Sequence, residues 1–145
     1  MEKVIRNLSE LEDAAAALVS SLTPKTDSAT LVTLSGELGA GKTAFTQAVA
    51  KALGVEDAVT SPTFVLEKIY QLPEGRAFKR LIHIDAYRLE GGAELAPLSF
   101  DSLMRDTRNL IMLEWPEKVA DALSPATAAL SIVAHDDGSR TLTYG

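Results

Sequence analysis

The chain of 145 residues contains no cysteine. Disulfides, thiolate metal sites and cysteine nucleophiles are therefore excluded. No apolar run approaches the roughly 18 residues that a membrane-spanning helix requires. The opening stretch MEKVIRNLSE carries charge where a secretory signal would need an apolar core. A cytoplasmic protein with no membrane attachment is the expectation. Basic residues are the minority, with 14 Lys and Arg against 20 Asp and Glu and a net charge of −6. An extended basic face for nucleic acid is thus not expected, and a role in RNA metabolism would run through a protein partner. Aromatic residues are sparse at 6%, with a single tryptophan. There is no internal repeat and no low-complexity segment. What the chain does have is 46% hydrophobic residues, enough for the core of one domain over residues 1–145.

Against that background one segment stands out. Gly36 to Thr43 read GELGAGKT, which matches the phosphate-binding pattern G-x-x-x-x-G-K-[ST]. Each fixed position has a task on a triphosphate. Gly36, Gly39 and Gly41 allow a tight backbone whose N–H groups turn inward. Lys42 sets a positive charge against the β- and γ-phosphates, and Thr43 offers a hydroxyl to Mg²⁺. The helix that follows adds the positive end of its dipole. The expected nucleotide-binding set is Glu37, Leu38, Gly39, Ala40, Gly41, Lys42, Thr43 and Ala44. By composition alone the pattern arises in about half a percent of chains of this length. Its context is also right. Leu31 to Ser35 is a short apolar, β-branched run, as in a buried parallel strand. Ala44, Phe45, Ala48, Val49, Ala52 and Leu53 then fall at helical spacing, and Gly54 closes the helix.

Elsewhere the pattern predicts a short strand over Lys3 to Asn7. A helix should begin at the capping-box pattern Ser9-Glu10-Leu11-Glu12 and run to about Leu22. Phe64 to Leu72 and Ala77 to Ile84 read as an antiparallel hairpin around Pro73-Glu74-Gly75-Arg76, unlike the sheet expected around the loop. Short helices are expected from Ala93 to about Arg108, a buried strand over Leu110 to Leu113, and a helix over Pro116 to Leu123. Ala128 to Ala134 and Arg140 to Tyr144 should form a terminal hairpin.

A triphosphatase also needs metal ligands and a group that positions water. Ligands of α/β sheets sit at the carboxyl ends of strands, so strand-terminal acids are the candidates. Leu110-Ile111-Met112-Leu113-Glu114 has the Walker B form, four apolar residues and an acid, and Leu81-Ile82-His83-Ile84 ends in Asp85. Glu114 is a candidate metal ligand with Thr43. Asp85 and Lys42 are the candidate catalytic pair. His83 reads chiefly as a core or hydrogen-bonding residue. Arg88 is open to two readings, a phosphate contact or a salt bridge that orients Asp85, with the second preferred. Trp115 serves either the core or a contact with base or partner. Ser61-Pro62-Thr63-Phe64 is either a plain turn or a switch loop ordered by the γ-phosphate and metal, with Ser61 and Thr63 supplying hydroxyls.

The ordered set GELGAGKT, SPTF, HIDAYRL and LEWPE, spanning about Leu31 to Val119, resembles the bacterial TsaE family, the small ATPases of tRNA threonylcarbamoyladenosine biosynthesis. The resemblance implies an α/β fold, a P-loop NTPase-like sandwich with a partly parallel central sheet, flanking antiparallel strands and hairpins. It implies ATP and Mg²⁺ as substrate and cofactor. It implies two partners, the threonylcarbamoyl transferase subunit and its non-catalytic paralogue, with tRNA contacted indirectly. The ATP cycle of such proteins supports turnover of the complex that modifies adenosine 37. Ser61 and Thr63 match the SPT segment, Asp85 the acid of H-x-D-x-Y-R-L, and Glu114 and Trp115 the E-W pair. Family members often have glycine where Ser99 stands, which leaves the local turn open.

The expected activity is slow ATP hydrolysis, completed by partners. Thr43 and Glu114 hold the metal and Asp85 handles the attacking water, although the two acids could exchange roles. Two other classes fit the same motif. One is a nucleotide-dependent assembly module in which hydrolysis is incidental. The other is a small P-loop kinase, against which stands the lack of an arginine-rich lid. No guanine-reading N-K-x-D motif is present, and ATP over GTP is not decided by residues alone.

Overall fold

The structure, a computed structural model, describes residues 2–37, 39–55 and 67–144. Seven strands form one sheet: β1 (Glu2–Ile5), β2 (Thr30–Ser35), β3 (Glu67–Gln71), β4 (Arg80–Asp85), β5 (Asn109–Glu114), β6 (Ala128–Ala134) and β7 (Arg140–Tyr144), in the order β1-β7-β6-β2-β5-β4-β3. The central strands β6, β2, β5 and β4 are parallel, whereas β1, β7 and β3 pair antiparallel at the two sides. The expected hairpin therefore exists but is not separate from the parallel sheet. Its second strand, β4, joins β5 in parallel, and only β3 is an edge. A buried parallel strand should be apolar on both faces, and Leu81 to Ile84 are all fully buried.

Both faces of the sheet are covered. Helices α1 (Leu8–Ser21) and α2 (Lys42–Ala52) pack on one face through Leu11, Ala14, Phe45 and Val49, against Val32, Leu34, Leu81, Leu110 and Met112. On the other face lie Leu31, Ile82, Ile84, Ile111 and Leu113. They are covered by a 3-10 segment (Gly92–Leu98), the short helix α3 (Phe100–Arg105) and the chain around Val119. Because side chains alternate along a strand, this division sends His83, Asp85 and Glu114 to the α1–α2 side.

Several local boundaries differ from expectation. Helix α1 starts two residues early. Asn7, not Ser9, caps it: the Asn7 side chain accepts from Glu10 N–H at 2.9 Å, and Glu10 Oε1 accepts from Arg6 N–H at 2.7 Å. The same three-residue spacing of cap and acid occurs at Asn7–Glu10, and Glu12 is taken instead by Lys51 of α2. The helix expected over Pro116 to Leu123 is two separate 3-10 turns, Pro116–Lys118 and Ala120–Ala122. Val119 between them is fully buried and takes φ −131°, which interrupts helical geometry. Ser99 sits in the left-handed region at φ 58°, ψ 35°, between the 3-10 segment and α3. A glycine would be unstrained there. The part of the expected hairpin over residues 64–66 lies outside the described residues.

Candidate active site

The Gly36–Thr43 segment joins the carboxyl end of β2 to the amino end of α2. Gly36 has φ 153°, and a Cβ there would lie 2.6 Å from the Ile132 carbonyl oxygen of β6, so only glycine fits. The N-cap of α2 is Gly41, which makes no side-chain cap. The first-turn N–H groups of the helix therefore have neither an intrahelical acceptor nor a capping side chain, the arrangement that favours an anion.

Lys42 is only 5% exposed. Its ammonium donates to the carbonyls of Gly36 at 2.5 Å and Glu37 at 2.8 Å and lies 4.3 Å from the centroid of the Trp115 ring. Burial lowers its pKa, opposed by the negative charges of Glu114, Asp85 and Glu117. A desolvated cation of this kind gains more from a nearby anion than a solvated one.

The two acids are neighbours because the β4–β5 register pairs Asp85 with Glu114 across parallel strands. Their environments differ. Glu114 is 2% exposed, and its Oε2 lies 2.5 Å from Nε2 of the fully buried His83. The other ring nitrogen of His83 has no hydrogen-bond partner among the described residues. Asp85 is partly exposed and its Oδ1 accepts from Tyr87 N–H at 3.0 Å, a local turn that fixes the carboxylate. Burial raises the Asp85 pKa, the Tyr87 N–H lowers it, and the charge of Glu114 raises it further.

Trp115 follows Glu114 with φ 60°, a left-handed conformation unusual for a large residue. Its ring meets Tyr87 at a centroid distance of 5.0 Å, and Lys118 lies 5.8 Å from the Tyr87 ring centroid. Trp115 thus faces Lys42 rather than either core alone.

The structure brings Lys42, Asp85, Glu114 and Trp115 together, with Thr43 half-buried in the first turn of α2 beside them. It does not bring Arg88 to Asp85. Arg88 is exposed, and no ion pair joins the two, so the preferred orienting salt bridge is corrected: the Tyr87 N–H holds Asp85 instead. Leu38, Ser61 and Thr63 lie outside the described residues. Among the described residues no three His, Asp or Glu side chains gather as a metal-binding cluster. His83 is the buried, hydrogen-bonding residue that the sequence suggested, and the structure supplies its partner, Glu114. One residue at the site escaped the reading of the sequence. Arg140 donates from Nε to the Ala40 carbonyl at 2.6 Å across 100 residues of chain, and nothing local signals it.

The class so defined is a mixed α/β protein with a glycine-rich loop between a central parallel strand and its helix, faced by two strand-terminal acids. The family model described as threonylcarbamoyl adenosine biosynthesis protein TsaE matches residues 5–142, and the chain belongs to that family. The tRNA threonylcarbamoyladenosine biosynthesis protein TsaE of Streptomyces coelicolor is 44% identical over 104 residues, covering 70% of this chain and 67% of its own. The protein of the same name from Treponema pallidum is 35% identical over 113 residues, covering 78% and 79%. That of Rickettsia felis is 31% identical over 138 residues, covering 94% and 75%. In fold, the crystal structure of Bacillus subtilis YdiB superposes with a TM-score of 0.77 over 99% of this chain and 83% of its own, at 24% identity. No helix of the described residues is long and apolar enough to cross a membrane.

Proposed function

We propose that this chain is a Mg²⁺-dependent ATPase with a P-loop NTPase-like fold. Its hydrolytic cycle drives turnover of the complex that forms N6-threonylcarbamoyladenosine in tRNA. The observation that supports this most directly is the meeting of Lys42, Asp85 and Glu114 at an uncapped helix amino terminus.

The residues fit the nucleotide and its metal. The loop offers free first-turn N–H groups and a desolvated ammonium for phosphate oxygens. Thr43 and Glu114 offer the oxygen donors that Mg²⁺ prefers, with the remaining positions left to phosphate and water. His83 behind Glu114 is the outer hydrogen-bond partner that orients a ligating carboxylate. Mg²⁺, when bound, would neutralise charge on the β- and γ-phosphate oxygens.

In this reading Lys42 and the loop N–H groups stabilise charge that grows on the γ-phosphate oxygens. Asp85 orients the attacking water and accepts its proton as the bond from water oxygen to γ-phosphorus forms. The bond from that phosphorus to the bridging oxygen breaks, leaving ADP and phosphate. A carboxylate whose proton affinity is raised by burial suits proton acceptance better than an exposed one. Arg88 is exposed and, among the described residues, makes no ion pair with the acids of the site, and turnover is slow in this reading until the transferase subunit and its paralogue engage in a cytoplasmic complex.

Titration with labelled ATP and a phosphate-release assay test the proposal. Lys42→Ala should abolish most nucleotide binding, whereas Asp85→Ala should bind ATP and not hydrolyse it. Full turnover in Asp85→Ala would remove Asp85 from the mechanism. Repeated rounds of tRNA modification with a non-hydrolysable analogue would show instead that nucleotide occupancy alone assembles the complex.

A further inference from the structure

The hairpin β6–β7 does more than extend the sheet. Strand β6 runs parallel to β2, so its carboxyl end lies beside the loop that leaves β2. Arg140 opens β7 opposite Ala134, the last residue of β6. The loop leans on this end of the hairpin at two points. At Gly36 the missing side chain leaves room for the Ile132 carbonyl. At Gly41 it leaves room for Arg140: a Cβ on Gly41 would lie 2.9 Å from Arg140 Nε and 3.2 Å from its Cδ.

The bond that Arg140 makes there has a direction. Nε donates to the carbonyl oxygen of Ala40. That carbonyl and the N–H of Gly41 belong to one planar trans peptide, in which they point in opposite directions. Pulling the Ala40 carbonyl toward β7 therefore turns the Gly41 N–H away from β7. On its far side this peptide is bounded by Gly41 at φ 106°, a value that glycine adopts freely, so the Arg140 bond adds a restraint on its orientation. The terminal amino groups of Arg140 make no hydrogen bond or ion pair among the described residues, which leaves a full positive charge beside the loop.

We propose that Arg140 is a positioning residue of the phosphate loop. It holds the Ala40–Gly41 peptide so that its N–H faces the phosphates, and it adds a second cation to that of Lys42. The inference rests on the nucleotide-binding reading above. Because the peptide is oriented before any chemistry, ADP and ATP should benefit alike, and the rate at saturation should change far less than the affinity.

The test measures Kd for ADP and ATP, kcat at saturating ATP and Tm in the wild type, Arg140→Met, Arg140→Lys and Lys42→Ala. Arg140→Met keeps the aliphatic stem over Gly41 and loses the donor and the charge. It should weaken both nucleotides about tenfold, because the peptide N–H is no longer oriented in advance and one positive charge near the phosphates is gone. Its kcat should fall less than threefold and its Tm should stay near that of the wild type. Arg140→Lys, which retains a charged donor, should recover most of the affinity. Equal ADP and ATP affinities in Arg140→Met and wild type would overturn the inference, as would a loss of kcat at unchanged Kd. Should Arg140→Met fail to fold, Arg140→Gln decides in its place: wild-type affinity in a folded Arg140→Gln would overturn the inference, and a loss in both nucleotides would support it. Absence of nucleotide binding by the wild type itself would instead refute the parent reading, because Lys42→Ala would then show no difference.

Discussion

The His83–Glu114 pair permits a test that separates stability from activity. Both side chains are essentially removed from solvent, and Glu114 Oε2 is bonded to His83 at 2.5 Å. Replacing His83 by leucine fills a similar volume but leaves a buried carboxylate without its partner. Breaking a buried pair from one side costs about 3–5 kcal/mol. The lower end applies here, because Glu114 also faces the Lys42 ammonium. A loss of about 3 kcal/mol is a large part of the 5–15 kcal/mol or so that holds a typical domain folded. Glu114→Leu leaves a buried imidazole with neither nitrogen bonded and should cost about 1–3 kcal/mol. In the double variant both polar groups are gone and the site is apolar throughout, an exchange that is often close to neutral. The double variant should therefore be more stable than His83→Leu alone, with a coupling energy of about 4–6 kcal/mol. Urea unfolding followed by far-UV circular dichroism and by the fluorescence of Trp115, next to Glu114 and the single tryptophan, measures each corner. ATP hydrolysis should be lost in both variants that lack Glu114, however stable they are. Additivity of the two substitutions to within about 0.5 kcal/mol would refute the reasoning, since it would mean that the two side chains do not depend on one another.

Two further outcomes follow from local geometry. Ser99→Gly should raise Tm by about 2 °C, because an exposed non-glycine residue at φ 58° carries about 1–2 kcal/mol of strain that outweighs the extra backbone freedom of glycine; thermal unfolding at fixed pH checks it, and a fall in Tm would show that the serine side chain contributes. Asp106 is held down to about 2, first by the Arg108 side chain, then by the Arg108 N–H, with the charge of Arg80 adding to it. Its folded pKa lies below the unfolded value of 3.8, so the stability it contributes is present above 3.8 and lost as pH falls toward 2. Asp106→Asn should lower stability near neutrality by about 1 kcal/mol, and the gap to wild type should close on acidification; a gap that stays constant down to about pH 2 would argue against the linkage.

How much of this was legible in the sequence depends on the kind of information each element carries. Strand β2, the glycine loop and α2 announce themselves because composition, periodicity and caps all agree over adjacent residues. The hairpin Ala128–Ala134 and Arg140–Tyr144 was legible to the residue, since a turn sequence fixes both of its ends. Where two signals of the same type compete at close range, as Asn7 and Ser9 do for the cap of α1, the sequence does not rank them. The 3-10 turns after Trp115 replace the expected helix because the burial of Val119, a tertiary demand, overrides a local proline signal. Partners distant in sequence are least legible. Periodicity says which face His83 occupies, but not that Glu114 will lie beside it, and nothing near Arg140 says that it will reach Ala40.

The candidate site is therefore less a property of its motifs than of one register. Asp85 and Glu114 stand side by side because β4 pairs with β5 so that their last residues align, and β5 pairs with β2 so that Glu114 aligns with Leu34, just before the loop. Side chains alternate with a period of two, so a slip of β4 by one residue would carry Asp85 and His83 to the opposite face and bring Ile82 and Ile84 toward α2. Such a slip would move two polar side chains into the second core, among Leu89, Leu95 and Phe100, and strip Glu114 of its partner at the same step. The apolar pattern Leu81, Ile82 and Ile84, complete on both faces except at His83, makes the observed register the one in which every buried polar group of this strand finds the loop side of the sheet. The same alternation that builds the two cores thus delivers both acids to Lys42, and the placement of the chemistry comes with the fold at no separate cost.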